Sequence, residues 1–275
     1  MLYNTQNHLE FMCLFNDAFN SLYSSKSVLI KIINRIIEEN EKWKHISKLN
    51  FADYKQYFEN KIETAKIYGQ HGYVISPFMC MDDEKKIQDI ILKDKSEKAI
   101  VKCIYRNNEI VWQTIYRLQE CYKDSPNIKF YFDCFTKKYK GRDYSSAAFY
   151  ISSVLDNRIK SVFKIGELNK LTKIIKEGIS LTQESFFEKL PYEEKGRISN
   201  AFLITEYLPS FHEFILRTFT ENKDEFGKLE FEPKHFNRNW FVHGYVTHQI
   251  ERYQVLQLLN ALSSLEFISK AIRNV

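Results

Sequence analysis

Glycine and proline are scarce in this chain, 8 and 5 of 275 residues, about 5% together where roughly 12% is average. Sandwiches, barrels and glycine-rich phosphate loops use those residues as punctuation, so the shortage counts against all three and predicts an all-α protein. The motifs GxxxxGK[ST], GxGxxG and GxSxG are missing. P-loop nucleotide hydrolysis, dinucleotide binding and α/β-hydrolase chemistry therefore lack their signatures, and no cofactor is expected. Five cysteines (Cys13, Cys80, Cys103, Cys121, Cys134) are an odd number at irregular spacing with no CxxC pair, the pattern of reduced thiols. No stretch reaches the ~18 uncharged apolar residues of a membrane span, and no basic-then-apolar leader opens the chain. A cytoplasmic protein with no membrane partner is the expectation. What is present, 44% hydrophobic and 27% charged residues, is the composition of a folded protein long enough for two cores. Net charge is +5, of which +4 falls in residues 1–140. That is too mild to predict nucleic-acid binding by itself, though it permits RNA.

Apolar residues at three- and four-residue spacing predict helices over 8–23 and 27–43, a weaker one over 51–66, and a loop with at most one strand over 68–81. Asp82 and Asp83 have the character of helix N-cap and first-turn residues, since carboxylates accept the free N–H groups there, with the helix running to Ile91. Another helix is expected over 109–122. An aromatic segment (Phe130, Tyr131, Phe132, Phe135) then leads into the basic knot Lys137, Lys138, Lys140, Gly141, Arg142. The knot is read as the boundary between an N-terminal helical domain, 1–140, with a sensing or regulatory role, and a C-terminal bundle, 141–275. It serves either as a solvated linker or as a phosphate-contacting patch. The second half holds expected helices over 143–163, 168–176, 197–220 and 249–272, a four- or five-helix bundle. Pro209 would kink the third of these or split it in two.

The segment with chemical character is Phe236-Asn237-Arg238-Asn239-Trp240-Phe241-Val242-His243-Gly244-Tyr245. Histidine titrates near neutrality and suits proton transfer, whereas arginine stays charged and forks onto phosphate oxygens. A spacing of five places Arg238 and His243 ~140° apart on an ideal helix, so they converge only through the length of the arginine or an irregular turn. Gly244 supplies such a turn if it takes the left-handed conformation that ends a helix. Asn239 either orients His243 or donates to phosphate; Asn237 does one of these or caps the helix.

In this motif the sequence resembles the HEPN superfamily, helical-bundle proteins that include ribonuclease toxins and abortive-infection effectors. The resemblance runs through R-x4-H, here Arg238 to His243, with a polar residue after the arginine (Asn239) and a glycine after the histidine (Gly244). The stretch FNRNWFVHGYVTHQIERYQVLQLLNALSSLEFI is similar to the C-terminal end of abortive-infection-type members. It implies a metal-independent endoribonuclease in which the ribose 2′-hydroxyl attacks the adjacent phosphate, leaving a 2′,3′-cyclic phosphate. It also implies a homodimer whose two motifs share one cleft, an antiviral-defence or toxin role, and a regulatory or antitoxin protein as partner. HEPN folds also occur as catalytically silent RNA-binding or dimerisation scaffolds. R-x4-H-x-Y further resembles toxins whose tyrosine, here Tyr245, is AMPylated by a nucleotidyltransferase.

Other groups carry less. His235, His243 and His248 fit no usual zinc spacing, so no metal is assigned. Arg158, with Asp156 and Asn157 on the first helix of the second half, is a polar cluster that either faces the motif or lies solvated. His212 lies on an aromatic face and reads as a core histidine.

Overall fold

The computed structural model describes residues 51–75, 81–93, 96–163, 206–219 and 235–273. The helices expected over 8–23, 27–43 and 168–176 lie outside these residues. The described residues are all helical, with nine helices and no strand: α1 (Phe51–Gln70), α2 (Met81–Leu92), α3 (Glu97–Ile104), α4 (Asn108–Tyr122), α5 (Pro126–Lys140), α6 (Tyr144–Phe163), α7 (Leu208–Phe219), α8 (Arg238–Val242) and α9 (Arg252–Arg273). Among them no helix is long and apolar enough to cross a membrane.

The helix starts follow from side-chain oxygens that take up free N–H groups. Asn107 accepts from Ile110 N at 3.0 Å to open α4, and Asp143 accepts from Ser146 N at 3.1 Å to open α6. Pro126 sits in the first turn of α5, where its missing donor costs nothing. Pro209 is the second residue of α7, directly after a π-type turn at Glu206 and Tyr207. Asp82 and Asp83 lie inside the first turn of α2, and Asp83 is buried there against Arg106 at 3.2 Å.

α9 is the axis of the fold and packs on α3, α4, α6 and α7. Every residue from Gln254 to Glu266 is buried, so this helix is enclosed on all sides and its polar residues need internal partners. They have them. Asn260 Nδ2 donates to Val74 O at 2.7 Å and Ser264 Oγ to Ile75 O at 3.1 Å, while Ser210 Oγ on α7 accepts from Ile75 N at 3.1 Å. These bonds hold residues 73–75 as a buried extended segment without a strand partner, which is why the apolar run Tyr73-Val74-Ile75 enters the core outside any sheet.

α5 and α6 form a closely packed hairpin, and the residue-140 boundary falls at its turn. Phe132, Phe135 and Tyr139 from before that turn join Ala147, Ile151, Leu155 and the α9 leucines from after it in one hydrophobic cluster. α1 and α7 approach closely at Gly69, where a Cβ would lie 2.3 Å from Ser210 O and 2.6 Å from Glu213 Cβ.

Candidate active site

The motif forms a single helical turn, α8, clamped at both ends. At its start Asn237, 1% exposed, accepts from Asn239 N (3.0 Å) and Trp240 N (3.2 Å). Its Nδ2 donates to Arg217 O at 3.1 Å, and Asn239 Nδ2 donates to Phe219 O at 2.7 Å. The last carbonyls of α7, which have no partner within their own helix, are thereby taken up by the first side chains of α8. His235 Nε2 reaches the same Arg217 carbonyl at 3.0 Å. A carbonyl only accepts, so that nitrogen carries the proton. Burial, and then the positive charge of Arg217, push the His235 pKa below its ordinary value.

At the far end Gly244 has φ +75°. Gly244 N donates to Phe241 O (3.2 Å) and Tyr245 N to Trp240 O (2.9 Å), the paired bonds of a Schellman motif. The hydrophobic contact that accompanies such an end is present: the Trp240 and Tyr245 rings meet edge to face at 5.9 Å. Tyr245, half exposed, is the clasp of this turn.

This frame sets apart the two residues of chemical interest. The Arg238 guanidinium donates to Asn239 Oδ1 at 3.3 Å and lies 3.8 Å from Asp156 Oδ2 on α6. The latter is an ion-pair distance, too long for a hydrogen bond. Among the described residues, most of the five guanidinium donors therefore stay free for a phosphate. Asp156 also receives Lys160 at 3.2 Å, and its Oδ1 is buried with no hydrogen-bond partner among the described residues. His243 caps the C-terminus of α8, is exposed, and among the described residues its ring meets only Tyr245, at 6.1 Å. Arg238 and His243 make no hydrogen bond to each other, and Asn239 turns to Arg238 and α7 instead of to His243.

Arg158 is placed elsewhere. Its Nε and Nη2 donate to Glu266 at 2.5 and 2.8 Å, and Tyr122 OH donates to the same carboxylate at 2.9 Å, linking α4, α6 and α9 inside the core. Burial, followed by the Glu266 charge, drives the Tyr122 hydroxyl pKa well above its ordinary value. The residue of that cluster that faces the motif is Asp156. Spacing could have separated the two, because Arg158 falls at i+3 from Leu155 and i+7 from Ile151 on the apolar stripe of α6, whereas Asp156 does not. Lys137, Lys140 and Arg142 are exposed at the α5–α6 turn, and Lys138 pairs there with Asp143 at 3.0 Å. From Tyr144, just past that turn, to Asp156 is about 18 Å along α6, so no single contact joins the basic knot to α8.

No family model, curated protein or solved structure matches this chain.

Proposed function

We propose that the chain is a HEPN-type, metal-independent endoribonuclease. The observation that supports this most is a division of roles within one helical turn. Asn237, Asn239, Trp240, Gly244 and Tyr245 build a stiff frame, and that frame displays a tethered Arg238 and an exposed His243, neither with its hydrogen-bonding capacity filled by the described residues. In the proposed reaction His243 removes the proton of a ribose 2′-hydroxyl, whose oxygen attacks the adjacent phosphorus. Arg238 donates to the non-bridging oxygens as negative charge accumulates on the phosphorane. The bond to the 5′-oxygen breaks, the leaving oxygen takes up a proton, and a 2′,3′-cyclic phosphate remains. One imidazole does not conveniently serve as base and acid in the same displacement. A second copy related by a two-fold axis would supply the other histidine, and the exposed run Val242-His243-Gly244-Tyr245 suits that role.

The competing reading is a catalytically silent scaffold with the same bundle. It draws on the structural duties of Asn237, Asn239 and Tyr245, which alone could account for those residue types. Purified wild type, Arg238→Ala and His243→Ala incubated with total RNA in EDTA separate the two. The nuclease predicts fragments with cyclic-phosphate ends from wild type and a loss of roughly 10²- to 10⁴-fold without His243. Cleavage by His243→Ala at the wild-type rate removes the motif from the chemistry.

A further inference from the structure

Residues 126–150, the α5–α6 hairpin up to Tyr150, hold five Lys and Arg against two Asp, net +3. Both aspartates are engaged, Asp133 with Lys129 at 2.9 Å and Asp143 with Lys138 at 3.0 Å. Lys137, Lys140 and Arg142 remain exposed and have no carboxylate partner among the described residues. The same 25 residues hold eight aromatics. Three of those are on the surface, Phe130 63%, Tyr131 42% and Phe149 43% exposed, and half-buried Tyr150 joins them. Their rings run in an edge-on chain, Phe130 to Tyr131 at 5.7 Å, Tyr131 to Tyr150 at 6.1 Å, Tyr150 to Phe149 at 5.6 Å, with none stacked face to face.

The backbone at the basic turn breaks a rule that the other left-handed positions among the described residues keep. α1 and α8 end in Schellman motifs with glycine at the left-handed position, Gly72 and Gly244, each at φ +75°, and with an aromatic clasp, Tyr68 with Tyr73 and Trp240 with Tyr245. α5 ends in the same pair of hydrogen bonds, Arg142 N to Tyr139 O and Asp143 N to Lys138 O, but the left-handed residue is Arg142 at φ +59°. Its neighbour Gly141, at φ −76°, occupies a conformation open to any residue. Strain of this kind clusters at functional sites, where a side chain is needed in spite of its backbone.

We propose that the outer face of the α5–α6 hairpin is a track for single-stranded RNA, its basic turn taking phosphates and its aromatic strip taking bases. The track leads to the motif. Phe149 and Asp156 are seven residues apart on α6, on nearly the same face and about 10 Å apart along the axis, and Asp156 is the residue that meets Arg238. A polyanion fits this face better than a protein does, because lysine is depleted in protein interfaces. A single strand fits better than a duplex, whose base faces are already stacked. That the strand is RNA rests on the ribonuclease reading; binding at the hairpin does not.

The test is fluorescence anisotropy with a short, uncleavable 2′-O-methyl RNA strand and its duplex, at several salt concentrations. Wild type binds the single strand more tightly. Phe149→Ala and Tyr131→Ala each weaken it roughly 5- to 100-fold. Arg142→Gly weakens binding and lowers the slope of log affinity against log salt by about 0.7, while its melting temperature rises because the backbone strain is gone, so misfolding cannot account for the loss. Equal binding of strand and duplex, or variants with wild-type affinity, overturn the proposal. So does a Phe149→Ala variant that breaks a dimer while keeping its RNA affinity, which would assign this face to a second copy. RNA binding without any cleavage sinks the nuclease reading and leaves the track standing; cleavage without hairpin-dependent binding does the reverse.

Discussion

Arg158 illustrates how a plausible RNA-contacting arginine can be a structural one, and replacing it with methionine tests the difference. Its guanidinium makes two hydrogen bonds to Glu266, a third reaches that carboxylate from Tyr122, and the arginine and glutamate side chains are only 12% and 6% exposed. Methionine keeps much of the volume and removes the charge, so Glu266 is left enclosed with a single neutral donor. Breaking a buried pair from one side costs about 3–5 kcal/mol, a large part of the ~5–15 kcal/mol typical of a whole domain. In urea, where the slope is about 1–3 kcal/mol/M and larger for longer chains, the unfolding midpoint should fall by roughly 1 M or more with an unchanged slope. Replacing both partners, Arg158→Met with Glu266→Leu, removes the orphaned charge and should recover most of the loss. An unfolding free energy for Arg158→Met within about 1 kcal/mol of wild type would refute the reasoning, because that is the behaviour of a solvated surface arginine. The result also sets a control for function: an Arg158 variant that loses RNA cleavage has lost its fold before its chemistry.

Two more outcomes follow from the packing. Gly69→Ala should destabilise the protein by about 1–3 kcal/mol, although alanine in a helix interior normally gains about 0.5–1 kcal/mol over glycine, because the added Cβ would meet the backbone of α7 at Ser210 O. Thermal melting decides it, and an unchanged or higher midpoint would mean that α1 and α7 do not approach as described. His235, whose pKa is lowered by burial and by Arg217, binds its proton more weakly in the folded chain than in the unfolded one. Its contribution is therefore full above the unfolded pKa near 6.5 and is lost as pH falls from there towards the lower folded value. The urea midpoint of wild type should drop over that window more than that of His235→Gln, which keeps a donor for the Arg217 carbonyl and does not titrate; parallel profiles would contradict the assignment.

The long helices α4, α6 and α9 were legible because each has a continuous apolar stripe, and α6 and α9 were bounded to within a few residues. α5 was not, and its own surface explains why. Phe130 and Tyr131 stand next to Phe132 and Phe135 in sequence, so apolar residues spread round the helix and blur its stripe, although only Phe132, Phe135 and Tyr139 are buried. Read as an aromatic segment running into a basic knot, it suggested a boundary at 140, whereas the side chains it buries complete a core shared with α6 and α9. α3 leaves no periodic signal in the sequence because it is eight residues long and buries only Ile100 and Val101. The polar residues of α9 had no visible purpose in the sequence either. Asn260 and Ser264 bond to carbonyls nearly 190 positions away, and nothing local encodes that pairing.

The candidate site was legible as a cluster but not as an arrangement, since the duties of its members depend on α6 and α7. Asn237 and Asn239 bind the end of α7, Tyr245 clasps Trp240, and Arg238 turns to Asp156. His243 makes no side-chain hydrogen bond among the described residues and lies exposed beside Tyr245. That isolation makes it the most informative position to replace. Truncating an exposed side chain that supports nothing changes stability by no more than about 0.5 kcal/mol, so His243→Ala should unfold in urea with wild type. On the nuclease reading proposed above, any cleavage it loses is then assigned to the imidazole and not to the fold. A destabilisation of 2 kcal/mol or so, well outside that range, would show instead that the ring holds the end of α8 in place, and the free histidine on which the nuclease reading leans would become one more structural group.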